Sequence, residues 1–295
     1  MTADLDLAGA LAACRRPGLE PPADEAVDAD VARALAEDVG AGDLSAALLP
    51  DRSARAAIVS REAATVAGLP WALRCFARLD PQAMFHLHVR DGETIAAGAV
   101  LLEIEAGARA MVSGERCALN FLQTLSGTAS ETARHVARLA GSATRVLDTR
   151  KTLPGLRLAQ KYAVRAGGGE NHRMGLYDAV LIKENHIAAA GSIAAAVAAA
   201  RRAGAGRFIE VEVEDLDELR QAIEAGAERI MLDEFAPEAL AEAVAIAGGR
   251  AALEVSGSLT AERLSGIAAL GVDYVSVGAL TKHVRAVDLS MRLLA

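Results

Sequence analysis

Apolar and polar positions change rhythm along this 295-residue chain. Up to about Arg109 the pattern is mixed. Residues 24–38 place Val27, Val31, Leu35 and Ala36 on one helical face. Strand-like pieces follow at 56–60, 64–67, 84–89 and 100–104, parted by turn signals such as Asp91-Gly92. Beyond that the pattern is regular. Short apolar runs recur at 146–147, 179–182, 208–211, 230–232, 253–255 and 274–277. Each ends at a polar or small residue: Asp148 to Arg150, Lys183, Glu212, Asp233, Ser256-Gly257 and Gly278. Helical stretches lie between them at 192–202, 216–225, 237–246 and 260–270. Strand–helix alternation of this kind implies parallel strands joined by right-handed crossovers.

The expected fold is therefore α/β: a TIM-like barrel of about six to seven parallel strands, preceded by an α+β sandwich domain. The expected boundaries are 1–115 for the first domain and 116–279 for the barrel, with 280–295 packing back on the first domain. In such barrels the chemistry sits at the C-terminal ends of the strands. A polar residue at the end of one strand is ordinary. Six in succession, cations first and acids next, point to one shared mouth.

Charge sharpens this picture. The chain is acidic, with a formal net charge of -8, yet Asp148 to His186 holds seven Lys/Arg against four acids. Cations gathered locally in an acidic protein suit a small, multiply charged anion and not a nucleic-acid surface. Arginine's planar fork matches carboxylate or phosphate, and lysine adds a point charge. Arg150, Lys151, His172, Arg173 and Lys183 form the expected cationic half of the mouth. Arg157, Lys161 and Arg165, spaced i, i+4, i+8, read instead as a solvated helical stripe. Glu212 and Asp233 form an acidic half, suited to Mg²⁺, ribose hydroxyls or a developing positive charge, or to an ion pair with Lys151 or Lys183. Ser256-Gly257-Ser258 and Gly278-Ala279 offer backbone N–H groups to phosphate. The glycines at 167–169 read as a flexible loop carrying His172 and Arg173. His172 has no cysteine or histidine at metal-ligand spacing, so zinc is not expected.

Composition narrows the class. Hydrophobic residues make up 52 % of the chain, enough for a substantial core, and aromatics only 3 %, so close packing through small side chains is expected. No apolar run has the length of a bilayer span, and the first fifteen residues lack a secretory pattern. Three widely spaced cysteines form neither a disulfide framework nor a zinc site. A reducing cytoplasm is the expected setting.

These residues carry a resemblance. Gly114-Glu115-Arg116, Leu119 to Gln123 and Leu125-Ser126-Gly127 come first. Asp148 to Thr152 with Pro154-Gly155, Asn171-His172-Arg173 with Gly175-Leu176, and Ile182 to His186 follow. Glu210-Val211-Glu212, Leu232-Asp233 and Glu254 to Gly257 continue it. From about Glu37 onward the chain resembles the quinolinate phosphoribosyltransferases. The resemblance implies quinolinate and phosphoribosyl pyrophosphate as substrates, nicotinate mononucleotide, pyrophosphate and CO₂ as products, and Mg²⁺ as cofactor. It implies that Arg116, Thr149, Arg150, His172, Arg173 and Lys183 meet quinolinate. Lys151, Glu212, Asp233, Ser256, Gly257, Ser258, Val277, Gly278 and Ala279 would face phosphoribosyl pyrophosphate, with Glu212 and Asp233 near the metal, directly or through water or substrate. Glu212, Asp233 and Lys151 would be catalytic. Arg116 would come from the neighbouring subunit of a homodimer. Ser258 stands where the family usually has Gly or Asn, and Ser45 where it often has Thr. Other readings of the residues are a Schiff-base aldolase using Lys183, a carrier-type hairpin at 91–104 and a related pyrophosphorylase-like protein of molybdenum uptake. The Lys183-Glu184-Asn185-His186 run favours the quinolinate enzymes over the last.

Overall fold

The computed structural model describes residues 4–50, 52–204, 206–257 and 261–294. In chain order the elements are α1 (Leu7–Ala13), α2 (Asp24–Asp38), β1 (Ser53–Ser60), β2 (Ala64–Thr65), α3 (Leu69–Leu79), β3 (Met84–Leu87), β4 (Thr94–Ile95), β5 (Val100–Gly107) and α4 (Ala108–Arg138). There follow β6 (Arg145–Leu147), α5 (Arg157–Ala166), β7 (Ala179–Ile182), α6 (Glu184–Ala190), α7 (Ile193–Ala203), β8 (Phe208–Val213) and α8 (Leu216–Glu224). The last are β9 (Arg229–Asp233), α9 (Pro237–Ala247), β10 (Ala252–Ser256), α10 (Ala261–Ala268), β11 (Tyr274–Ser276), α11 (Ala279–Lys282) and β12 (Leu289–Leu294). A short 3₁₀ turn, Ala46–Leu48, precedes β1.

The chain divides into two compact units: Met1–Ala133 with Leu153–Gly168 and His283–Ala295, and Arg134–Thr152 with Gly169–Lys282. The expected boundary at 115/116 falls inside α4, and α5 and β12 both belong to the first unit.

In the first unit an antiparallel sheet has the order β12-β1-β5-β3, and β2 pairs with β4. The apolar side chains of β1 and β5 pack with α3, whose Leu69, Trp71, Leu73 and Phe76 are fully or almost fully buried. Asp91 explains how α3 begins. Its buried carboxylate accepts from the N–H groups of Gly68 (2.9 Å) and Leu69 (3.2 Å) and from the Tyr162 hydroxyl (2.8 Å). A carboxylate at a helix N-terminus meets orphan donors and the positive end of the dipole. Here burial pushes the Asp91 carboxyl up to about 6. Tyr162 brings α5 into this core, its ring 5.5 Å from that of Trp71.

That placement corrects the expected solvated stripe on α5. Lys161 is fully buried, and Arg165 donates to the carbonyls of Glu20 (3.2 Å) and Gly18 (3.3 Å). The reason is that Ala159, Tyr162, Ala163, Val164 and Ala166 are buried around the helix, so no face of it is left wholly to solvent. Gly167 is likewise held by close packing and not by loop freedom. A Cβ there would lie 2.4 Å from the Ala129 carbonyl oxygen.

The second unit holds one six-stranded parallel sheet, β6-β11-β10-β9-β8-β7. Every strand follows its predecessor in space except β6, which lies beside β11, the order expected of a barrel-like α/β sheet. On the other edge of β6, Glu170 makes a single parallel bridge to Leu147. Glu170 donates to the Val146 carbonyl (2.8 Å), and Asp148 donates to that of Glu170 (3.2 Å). One face of the sheet is apolar. Val180, Ile182, Ile209, Val211, Val213, Ile230, Leu232, Leu253, Val255 and Val275 pack with Val197, Leu219, Leu240 and Leu264 of the covering helices. Since side chains alternate along a strand, the other face takes the intervening positions. These include Arg145, Glu210, Glu212, Arg229, Asp233, Glu254, Ser256 and Ser276.

Gly127 on α4 is a test of first-unit packing. A Cβ there would sit 2.2 Å from the Arg285 carbonyl oxygen, backbone that has little room to yield. Gly127→Ala is expected to destabilise the protein by about 1–3 kcal/mol, as overpacking does. Chemical denaturation reads this directly, and an unchanged midpoint would refute the close contact.

Candidate active site

Strand alternation arranges the polar face in rows. At the N-terminal end of the strands lie Phe208, Arg229 and Tyr274, with the Arg229 guanidinium 5.0 Å from the Phe208 ring centre and 4.1 Å from that of Tyr274. Two residues on come Glu210, Glu254 and Ser276, all buried. Two further on, at the C-terminal ends, are Glu212, Asp233 and Ser256, with Lys183 just past β7.

The last row is the mouth. Lys183 Nζ lies 2.5 Å from Glu212 Oε2, so the two halves expected separately meet in one ion pair. The backbone of Lys183 is fixed by His186, whose Nδ1 accepts its N–H at 3.1 Å at the start of α6. Asp233 stands in register with Ser256 on the neighbouring strand. Glu234, the next residue, has φ +52, a left-handed conformation a non-glycine residue adopts at a cost. Its carboxyl group occupies the space a side chain at Gly257 would need, 2.9 Å from the Cβ position. Ser258 lies outside the described residues.

On the other side of the sheet, β6 ends at Asp148. This buried carboxylate accepts from the His172 N–H (3.0 Å) and from Asn171 Nδ2 (2.6 Å). Together with the Glu170 bridge, it ties residues 170–173 to the end of β6. The half-buried Arg150 and Arg173 are thereby brought close, and burial together with the Arg150 charge lowers the Arg173 guanidinium. Thr149 Oγ1 accepts the Lys151 N–H at 3.0 Å, and the Thr281 hydroxyl donates to the Lys151 carbonyl at 2.9 Å. The Lys151 side chain lies over Gly278, its Cδ 3.0 Å from where a Cβ would stand. Val277 donates to the Leu147 carbonyl at 3.0 Å, joining β11 to β6 just below.

The structure thus gathers Thr149, Arg150, Lys151, His172, Arg173, Lys183, Glu212, Asp233, Ser256, Gly257, Val277, Gly278 and Ala279 in the second unit. Arg116 belongs to the first, exposed on α4. Asp148, Glu210 and Glu254 had no expected site role, although the alternation of Glu210 with Glu212 and of Glu254 with Ser256 was a readable signal. His172, Glu210 and Glu254 form a buried cluster with one ligand-type atom each within 4.8 Å of the others.

A row of arginines and lysine facing carboxylates at the strand ends defines an α/β-barrel protein built to receive a multiply charged anion. The comparisons give the particular family. The model of the quinolinate phosphoribosyl transferase C-terminal domain matches residues 128–292, and that of the N-terminal domain residues 43–126. The chain belongs to the quinolinate phosphoribosyltransferase family. It is 44 % identical over 258 residues to a probable carboxylating nicotinate-nucleotide pyrophosphorylase of Bacillus subtilis, covering 86 % of this chain and 89 % of that one. It is 37 % identical over 299 residues to decarboxylating quinolinate phosphoribosyltransferase 1b of Nicotiana tabacum, covering 93 % and 85 %. The solved nicotinate-nucleotide pyrophosphorylase of Francisella tularensis superposes with a TM-score of 0.91 at 45 % identity, covering 94 % of this chain and 98 % of that one.

Burial pushes the Glu254 carboxyl up to about 8, helped by the neighbouring Glu210, whose own carboxyl is raised by burial. The sign for stability follows. Between the ordinary 4.5 and about 8 the folded protein keeps a proton that the unfolded chain has lost. The contribution is full below that window and is lost as pH rises through it. Glu254→Gln is expected to remove about 1 kcal/mol or more of this pH-dependent loss, a pKa unit being worth about 1.4 kcal/mol. Urea denaturation of variant and wild type across the window measures the difference. Parallel curves would show that the pair holds no extra proton.

Proposed function

We propose that this protein transfers phosphoribosyl from phosphoribosyl pyrophosphate to quinolinate and releases CO₂, giving nicotinate mononucleotide and pyrophosphate. The observation that carries the reading is the pairing of Arg150, Arg173 and Lys183 with Glu212 and Asp233 across one mouth. Quinolinate is a pyridine dicarboxylate, and two adjacent guanidinium groups with a lysine match its two carboxylates. His172, with Thr149, completes that end. Lys151, Ser256, Gly257, Val277, Gly278 and Ala279 face the phosphates of the second substrate. Arg116, exposed on α4, completes the site of a neighbouring subunit in a homodimer. The setting is the cytoplasm; among the described residues no helix is long and apolar enough to cross a membrane.

The donor set suits Mg²⁺ as a cation carried largely by substrate. Lys183 engages one Glu212 oxygen, leaving the other and the half-exposed Asp233 carboxylate, and magnesium commonly takes one or two carboxylates with substrate phosphates and water. When bound, the ion neutralises charge on the departing pyrophosphate. The chain's own groups do the rest. Arg150, Arg173 and Lys183 hold the pyridine nitrogen in line with C1′ of the ribose. As the C–O bond to pyrophosphate breaks, C1′ gains positive charge, and Glu212 and Asp233 oppose it. Lys151 faces the leaving phosphates. Attack by nitrogen leaves the ring cationic. The bond from C2 to its carboxylate then breaks, CO₂ departs, and the electron pair left at C2 is stabilised by the adjacent N⁺ until it takes up a proton.

A product assay for nicotinate mononucleotide, with quinolinate and separately nicotinate offered beside phosphoribosyl pyrophosphate, tests the reading. Turnover of quinolinate alone is expected. Turnover of nicotinate would overturn the dicarboxylate reading. Arg150→Ala and Lys183→Ala are each expected to lower kcat/KM for quinolinate about 10- to 100-fold, the worth of a charge-assisted hydrogen bond. Normal turnover by either variant would move the site elsewhere.

A further inference from the structure

Beneath the mouth, His172 meets two carboxyl groups that the reaction above does not use. His172 Nε2 is 2.9 Å from Glu210 Oε2 and 3.6 Å from Glu254 Oε1, and all three residues are buried. Glu254 Oε2 is also 3.2 Å from Arg229 Nη1. The spacing admits either a metal ion or a proton, and the far side of the imidazole decides. His172 Nδ1 accepts the Arg173 backbone N–H at 2.7 Å. A backbone N–H can only donate, so Nδ1 carries no proton, and a neutral ring then carries its proton on Nε2. A metal-bound histidine does the reverse, ligating through one nitrogen and donating from the other. A cation at Nε2 would require an imidazolate. The geometry at the imidazole of this cluster therefore favours a proton over a cation at Nε2.

Its position gives it a task. Arg150 and Arg173 repel each other, and Glu210 is among the groups whose charge offsets this at Arg173. We propose that Glu210 and Glu254 are positioning residues for the quinolinate end of the mouth: acting through a neutral His172, they fix the backbone at Arg173 and keep its guanidinium beside that of Arg150. His172 is then a strut between the barrel interior and the mouth, and the cationic charge offered to the substrate comes from the arginines and Lys183. This inference rests on the proposed function for the identity of the ligand. The state of the His172 ring does not.

Two measurements on the full-length protein test it. Long-range ¹H–¹⁵N correlation of histidine-labelled enzyme, with His172→Gln for assignment among the six histidines, reads the tautomer. At neutral pH, protonated Nε2 and unprotonated Nδ1 are expected; an imidazolium or an Nδ1–H ring would overturn the proposal. Kinetics supply the second. Glu210→Leu, which removes the carboxylate 2.9 Å from His172 Nε2, is expected to raise the KM for quinolinate by about tenfold or more, with kcat and the KM for phosphoribosyl pyrophosphate within about threefold. Glu210→Gln keeps an acceptor and is expected to restore most of that loss. An unchanged quinolinate KM in Glu210→Leu, or kcat and both KM values moving together, would overturn it. If Glu210→Leu does not fold, Glu210→Ala replaces it in the same kinetic comparison, and the wild-type ring spectrum decides independently. Stoichiometric Mn²⁺ binding without substrate, abolished by Glu254→Gln, would show a metal site instead. A wild-type enzyme inactive on quinolinate would refute the proposed function, leaving the ring spectrum to judge the strut alone.

Discussion

Charge compensation on one face of a parallel sheet is the constraint around which the second unit is built. The opposite face is committed to covering helices, so every ionisable group needed for chemistry must share the remaining face. A bare charge there would be costly, and several are met by an opposite charge or by donors. Lys183 meets Glu212, Arg229 meets Glu254, and Asp148 meets the donors of Asn171 and His172. Where Arg150 and Arg173 stand together, the buried Glu210 is among the groups that offset their charge. The order in depth is informative: aromatic rings around Arg229 at one end, proton-holding carboxyls midway, and ion-paired but partly exposed groups at the mouth. The middle row is the buried one, and exposure returns at the end where the strands finish.

The same constraint explains what was legible in the sequence. The repeat of apolar run, polar residue and helix is a direct imprint of strands with one covered face, and all six strands of the sheet were readable from it, β7 to the residue. Glu212 and Asp233 were readable because they end their runs. Glu210 and Glu254 were not singled out, because they sit inside the runs and a search confined to strand ends passes over them. Period-two alternation carries them to the same face as the mouth. Lys161 shows the opposite limit. A cation stripe at i, i+4 spacing looks solvated, and only tertiary packing around Tyr162 and Asp91 reveals it as buried.

Two elements of the first unit were hidden for other reasons. Helix α3 carries Arg74 and Arg78 one turn apart, yet every residue from Leu69 to Phe76 is buried, Arg74 included, a burial the local pattern does not announce. Residues 280–295 were expected to return to the first domain, but the pairing of β12 with β1 as a strand was not, being a long-range register that local pattern does not encode. Asp91 was readable only as a turn residue, yet it is wholly buried and joins the start of α3 to Tyr162 on α5. That burial also argues against a carrier-type hairpin, whose turn must be accessible for modification.

The Schiff-base reading of Lys183 fails on the same electrostatics that make the mouth work. A nucleophilic lysine needs a free amine, favoured by an apolar pocket or a neighbouring cation. Lys183 instead touches a carboxylate at 2.5 Å and is partly open to solvent. Such an ammonium is a binding group. Under the proposed function it would also couple the two substrates, since an anion drawn to Lys183 would loosen its hold on Glu212. Quinolinate binding would thus release carboxylate charge on the side where C1′ becomes positive. A single ion pair at adjacent strand ends can in this way link recognition of the acceptor to stabilisation of the ribosyl cation, with no moving part beyond two side chains.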